Sequence, residues 1–479
     1  MRVFTPAVLL VVALAAPAAA KVDDLPAFAR RYLDRQVHAV LPSRDARGQP
    51  MTAPLTLRLV PSFARQTGFA CSMCHYQFPQ LTAFGRQFKL NGYTLTGLKN
   101  IEDKDKKDKP TLSLLPFAPL SMMMLASATQ LGTALPGTQN FTVAMPQQLG
   151  LFWAGAIASN IGVFSQVTWA PSSGTFAIDN VDVRYAGRGA IGELPVTWGV
   201  SLNNNPSAQD LWNTTPAWGY PFTSSAIAPQ SAGAPLIAGG LAQQAVGVGV
   251  YALWNDLLYT EISAYRSAIP TAAAPLDSSA RNAISGFTPY WRVALQKTFG
   301  TQYLMIGTYG LAAKMFPAGV GGLTNDFTDI AFDAQHEMPV GDGHLVTRLS
   351  YITENQTLGA SFAASPAVSA NRTNTVNSLR LSSSWYPGQH AGLTIGLFNN
   401  GGTADTLLYA PGSITGSAVG KPETTGASIE ASYNLWENAR LSVTYTMYSK
   451  FNGRDSNYDG SGRDASANNT LYLLWWFAF

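Results

Sequence analysis

The chain contains two cysteines, three positions apart, with a histidine directly after the second. The stretch reads Phe69-Ala70-Cys71-Ser72-Met73-Cys74-His75-Tyr76-Gln77-Phe78-Pro79. C-x-x-C-H is the attachment signal for a c-type haem in an exported protein. Two thiols add to the two vinyl groups of the porphyrin, and the imidazole of the next residue is held under the iron as proximal ligand. Cys71, Cys74 and His75 are therefore the cofactor-binding candidates, with one covalently bound haem c as the cofactor. Three other chemistries compete. A thioredoxin-type redox pair requires a βαβ context, which does not surround the motif. A zinc site takes about four ligands, and no second Cys/His pair lies nearby. A plain disulfide leaves His75 without a role.

The residues that follow suit a small haem pocket. Phe78, Leu81, Phe84 and Phe88 recur at spacings of three and four, as on one helical face, and Asn91-Gly92 supplies a stop. Arg65, Arg86 and Lys89 are candidates to meet haem propionates. For the sixth iron ligand the chain offers His38 and Met51 upstream and Met122-Met123-Met124 downstream, with Met123 taken as the distal candidate; an open or water-bound position is the alternative. A thioether raises the potential of the iron, which suits an acceptor for a weak reductant. No further catalytic residue is assigned.

These groups need elements to position them. Residues 1–20 read as a secretory signal: Arg2, an apolar core from Ala7 to Leu14, and the small-residue site Ala18-Ala19-Ala20. The apolar stretch is shorter than the about 20 residues a helical anchor needs. Residues 21–100 form the expected small α-helical, monohaem cytochrome c domain. Residues 101–110, which include Glu102-Asp103-Lys104-Asp105-Lys106-Lys107-Asp108-Lys109-Pro110, are a charge run read as a tether. Residues 111–479 form the rest. Charged residues make up 12% of the chain, aromatics 11%, and there are 43 glycines. An ordinary soluble domain carries roughly 25% charge. Sparse charge with many aromatics and glycines, and no long apolar run, suits an outer-membrane barrel. The net charge of +3 comes without a basic stripe, so no nucleic-acid partner is expected.

The long C-terminal part alternates with period two. Leu441, Val443, Tyr445 and Met447 alternate with Ser442, Thr444 and Thr446. Val181, Val183 and Tyr185 alternate with Asp182 and Arg184. One face is apolar and the other polar, as lipid outside and a polar lumen inside demand. The expected fold is mostly β: a transmembrane antiparallel β-barrel of about 16 strands, beginning near residues 115, 147, 161, 175, 194, 244, 257, 290, 302, 325, 344, 375, 390, 424, 438 and 470. Tight turns such as Ser159-Asn160 and Glu437-Asn438 follow even-numbered strands, and long polar loops such as 203–243 follow odd-numbered ones. The chain ends on the aromatic strand Thr470–Phe479, which resembles the assembly signal of outer-membrane barrels.

The segment Ala70-Cys71-x-x-Cys74-His75-x-x-Phe78-Pro79-x-Leu81-x-x-Phe84-Gly85-Arg86-x-Phe88-Lys89, then Gly92-Tyr93, ahead of a porin-like part, resembles the fused monohaem cytochrome–porins of the outer membrane, including ferrous-iron oxidases of iron-oxidising bacteria. The stretch from Asn204 to Gly219, with Asp210, Trp212 and Trp218, is also similar to that family. The resemblance implies an electron conduit: extracellular Fe(II) as donor, a periplasmic electron carrier as acceptor, and ferrous iron:cytochrome oxidoreductase-type electron transfer. Asp182, Asp210, Glu261 and Glu430 are acidic groups that could attract a hard cation, or simply line the lumen. A diffusion porin with a regulatory or structural haem part, a conduit for another extracellular donor, and a soluble haem enzyme are the rival readings.

Overall fold

The computed structural model describes residues 61–95, 101–107, 110–115, 118–171, 174–268, 283–317 and 321–479. The signal segment, His38 and Met51 lie outside the described residues.

Sixteen strands of nine residues or more close into one antiparallel barrel. They are β1 (Leu120–Leu131), β2 (Thr142–Ala158), β3 (Ile161–Trp169), β4 (Phe176–Ile191), β5 (Leu194–Asn203), β6 (Ala245–Trp254), β7 (Leu258–Ser267) and β8 (Thr288–Phe299) in the first half. The second half comprises β9 (Gln302–Phe316), β10 (Asn325–Val340), β11 (Gly343–Thr357), β12 (Thr373–Tyr386), β13 (Ala391–Gly402), β14 (Thr424–Trp436), β15 (Ala439–Lys450) and β16 (Thr470–Ala478). A two-residue stub, Ala283–Ile284, extends the β8 side of β9. Closure joins the first strand to the last, with Met123 opposite Ala478 and Met124 opposite Phe477. Fourteen of the sixteen expected starts fall within two residues of the observed ones. The first two miss by five, because β1 begins only at Leu120, after Pro119, and β2 is extended past a bulge opposite Leu125 to Ser127.

The alternation in sequence becomes an inside and an outside. On β7, Ile262 is 61% exposed while its neighbour Glu261 is 6% exposed. On β10, Asp329, Asp333, Gln335 and Glu337 share the inward face, and Ile330 and Phe332 face out. An apolar outer belt over a polar interior suits hydrocarbon outside, and closure lets the strand backbones pair with one another there. The protein is thus a barrel of the bacterial outer membrane. Short turns and the junction of β1 with β16 lie at one end, and the long loops at the other. The short-turn end is the periplasmic one.

Of the N-terminal part, residues 61–95 are described. They lie within the lumen and form α1 (Ser62–Thr67), α2 (Cys71–Cys74) and α3 (Ala83–Leu90). A small hairpin, His75–Gln77 with Gln80–Leu81, separates α2 from α3. Phe78 and Leu81 therefore belong to the hairpin rather than to the helical face that their spacing suggests. Phe84 and Phe88 do share a buried face of α3. Asn91 caps α3, and Gly92 follows in the left-handed region at φ 65°, as the stop signal requires. Within the charge run, Ile101–Lys104 pairs with Pro110–Leu114, so a short hairpin stands where a tether was expected.

Candidate functional site

The motif is held from three sides. The Ser72 backbone N–H and hydroxyl both donate to the carboxylate of Glu437, in the periplasmic turn before β15, at 3.1 and 2.9 Å. The Thr82 hydroxyl donates to the Met73 carbonyl at 2.6 Å, and the Thr82 N–H to the Cys74 carbonyl at 2.9 Å. Thr82 also caps α3 by accepting from the Gly85 N–H. Gly85 is required for a second reason: a Cβ there would collide with the Cys74 carbonyl. The helix after the motif thus packs directly against the motif backbone.

Cys71, Cys74 and His75 open onto one pocket of about 1540 Å³, counting the open space at its mouth. Its wall is mainly apolar and includes the aromatic rings of Phe63, Phe78, Phe88, Phe152, Phe164 and Trp476. Phe78 stacks on Trp476 at 5.5 Å between ring centroids and meets the His75 ring edge-on at 5.3 Å. Met123, 7% exposed, faces the lumen from β1 and lines the same pocket. The parity of β1 turns Met123 inward with Leu125 and leaves Met124 on the other face, while Met122 also borders the pocket. Gln389, Asn434, Glu437 and Ala478 also line the pocket, which places it at the periplasmic end of the barrel.

Burial lowers the pKa of His75 to about 4, and the Pro79 and Gln80 carbonyls only partly oppose that shift. His75 is therefore neutral, the form that binds a metal. Its buried Nδ1 completes no hydrogen bond. Burial raises the thiol of Cys71 to about 11, with Glu437 adding to the shift, and that of Cys74 to about 12.

The donor set suits a porphyrin. Among the described residues no three or more His, Cys, Asp or Glu are grouped to hold a bare metal ion. A haem brings four ring nitrogens of its own and asks the protein only for axial ligands and an apolar slot. One imidazole, one thioether, two thiols and an apolar wall meet that requirement.

The expected propionate candidates have protein partners in the structure, and Lys89 also lines the pocket. Arg86 forms a buried ion pair with Glu337 on β10, and its guanidinium lies 4.3 Å over the Tyr303 ring. Lys89 donates to the carbonyls of Ala208 and Asp210 at 2.7 and 2.8 Å. Arg65 donates to the carbonyls of Ala118 and Leu120. The cation that lines the pocket with a buried, unpartnered nitrogen is Arg440 on β15. Its Nη1 donates to the Phe78 carbonyl at 2.9 Å, while its Nε has no partner. Sequence reasoning missed Arg440, although its place one step out of phase with the outward Leu441 already put it in the lumen.

The acidic residues are structural. Asp182 pairs with Arg184 at 2.7 Å and accepts from the Tyr93 hydroxyl at 2.6 Å. Asp210 accepts from the N–H groups of Trp212, Thr214 and Thr215, and lies 3.5 Å from Arg292. Burial raises the Asp210 pKa, but Arg292 and these N–H donors outweigh it and hold the carboxyl below its usual range. Glu261 accepts from Tyr259 and Ser263. Glu430 accepts from the Thr444 hydroxyl at 3.3 Å. The Asp210 contacts, with Arg184 donating to the Gln209 carbonyl and Lys89 to the Asp210 carbonyl, fix the segment 204–219, folded into the lumen from the loop end, on top of α3. Asn213, in the left-handed region at φ 58°, accepts from the Leu81 N–H at 2.9 Å and joins that segment to the hairpin after the motif.

No family model matches the chain, and no curated protein matches it. Solved outer-membrane proteins do align with it. A loop-deletion mutant of OmpT of Vibrio cholerae is 13% identical, over 75% of this chain and 98% of that one, at a TM-score of 0.43. The outer membrane channel DcaP of Acinetobacter baumannii is 12% identical, over 75% and 96%, also at 0.43. A triple mutant of the Rh. blastica porin is 13% identical, over 75% and 99%, at 0.38. Likeness at that level carries no function across. What the strand pairing itself establishes is a closed 16-stranded antiparallel barrel of the porin type in the outer membrane.

Proposed function

We propose that the protein is an outer-membrane electron conduit built around a single c-type haem. The observation that carries this reading is the seat of the motif: Cys71, Cys74 and His75 lie inside the barrel, on one apolar-walled pocket with Met123, at the periplasmic mouth. A haem bound there supplies a one-electron redox centre. Cys71 and Cys74 would hold it through thioether bonds. His75 would be the proximal ligand and Met123 the distal one, and Arg440 would face a propionate.

The chain's own contribution is placement and insulation. Arg86–Glu337, Tyr93–Asp182 and the Lys89 bonds tie α3 and its C-terminal turn across the lumen. An otherwise aqueous channel of this strand number is thereby filled in its middle. A donor outside the cell would give up an electron from the loop side, and a periplasmic carrier would collect it at the short-turn mouth. Extracellular Fe(II) is the donor that the family resemblance suggests. A polar chamber on the loop side favours a second reading, a diffusion porin in which the motif segment is structural.

The test is an absorbance spectrum of the purified membrane protein before and after anaerobic Fe(II), with dithionite as the reference reductant. A reduced c-type band appearing with both supports the conduit with iron as donor. A band with dithionite alone removes iron as donor. No band with either overturns the haem reading.

A further inference from the structure

Beyond the segment 204–219, on the loop side, the lumen holds a second chamber of about 1690 Å³, counting open space. Asn213 belongs to the walls of both chambers. The second one differs in chemistry from the pocket below it. Hydroxyls crowd its wall, among them Ser378, Ser382, Ser428, Thr444, Thr446 and Tyr448. Among the described residues that line it, none is Asp or Glu, and the two charged ones are Arg348 and Arg380.

The two arginines are not equivalent. Arg348, on β11, is 4% exposed. Its Nε donates to the Trp212 carbonyl and to Gln335, and its Nη1 donates to the Gln80 side chain at 2.7 Å. Its Nη2 is buried and has no partner. A buried guanidinium nitrogen left without an acceptor is costly, so a group that accepts from it there is favoured. Arg380, on β12, shares the inward face of Ser378 and Ser382 and is exposed to the chamber. It has no carboxylate partner among the described residues. Hydroxyls can donate to one acceptor-rich ligand while two guanidinium groups supply charge and further donors. A hydrated cation would meet two like charges and no carboxylate.

We propose that this loop-side chamber binds an anion carrying several oxygen atoms, either a free oxyanion or an anionic metal chelate, through Arg348 and Arg380. The binding site stands on its own. The consequence that the electron donor arrives as such an anion rather than as a hydrated cation rests on the conduit reading. Arg348 also links the two compartments, because its Nη1 holds Gln80 in the hairpin directly after His75.

The experiment is calorimetric titration of the full-length protein in detergent with three redox-inert probes: sodium sulfate, zinc citrate and magnesium chloride. The wild type is compared with Arg380→Gln and Arg380→Lys, and all three are checked for intact barrels by heat-modifiable migration. The expected result is saturable binding of an anion that weakens about tenfold or more in Arg380→Gln and is largely kept in Arg380→Lys. Sulfate binding assigns the site to free oxyanions, and zinc citrate binding without sulfate assigns it to chelates. Absence of saturable anion binding, binding indifferent to Arg380→Gln, or binding of magnesium alone would overturn the proposal. A dithionite spectrum of the same samples keeps the two readings apart. Anion binding without a haem band removes the conduit and leaves the site, whereas a haem band without anion binding does the reverse.

Discussion

Met123 carries the most specific expectation at the level of single residues. Met123 is the buried methionine of its run and borders the pocket together with Met122, and a thioether ligand raises the potential of a haem iron. Met123→Leu conserves volume and costs the fold little, less than about 1.5 kcal/mol. It should leave the haem attached and lower its midpoint potential in a redox titration. An unchanged midpoint would remove Met123 from the iron. Cys71, Cys74 and His75 are candidates on spacing alone, since attachment of a haem would demand that order. Arg440 was not singled out, because a cation on a strand becomes part of a pocket only when strands far apart in sequence curve around it. Arg86 and Lys89 show the converse. Their nearness to the motif in sequence suggests propionate contacts, and the structure adds partners on the barrel wall and the infolded segment.

At the level of elements, the lumen segment depends on a few buried charges. Glu337→Ala leaves Arg86 buried without its counter-charge, which typically costs about 3–5 kcal/mol. The expected outcome is a thermally weakened lumen segment inside a barrel that still assembles, read as an early transition in a melting curve. A single transition unchanged from the wild type would contradict it. Asp405, in the loop after β13, offers a pH test. Its carboxylate accepts from Ser369, the N–H groups of Ala370, Leu407 and Leu408, and Asn374. Burial alone would raise its pKa, but these donors outweigh burial and hold it well below the ordinary 3.8. The stability it contributes is therefore complete above about pH 4 and is lost as pH falls through the depressed value. Asp405→Asn should remove that acid dependence and expose the loop to protease on intact cells already at neutral pH. Equal cleavage of variant and wild type would show that the carboxylate does not anchor the loop. The strands themselves were read well from alternation, because each must bury one face and expose the other. The hairpin after His75 was misread as helix, since Phe78 and Leu81 satisfy helical spacing while Pro79 breaks it.

For the whole molecule, the decisive property is whether the lumen is open. A 16-stranded barrel without filling is a water channel. Here α3, the segment 204–219 and their buried ion pairs occupy the middle, with an apolar pocket below and a hydroxyl-lined chamber above. In planar bilayers the protein should therefore pass little ion current compared with open porins of the same strand number, and Glu337→Ala should raise it. Steady porin-like conductance in the wild type would favour the diffusion reading. Sequence by itself determined the barrel and the strand count, and it displays the C-x-x-C-H spacing. Each follows from local rules: period-two alternation against lipid, and a fixed spacing between thiols and imidazole. Only the tertiary structure decided that the motif segment lies inside the barrel, that Met123 and Arg440 join its pocket, and that the lumen divides into two chambers of different chemistry. Those features arise from contacts between groups up to several hundred residues apart, such as Ser72 with Glu437, and no local pattern in the chain encodes which distant strands the closed sheet brings face to face.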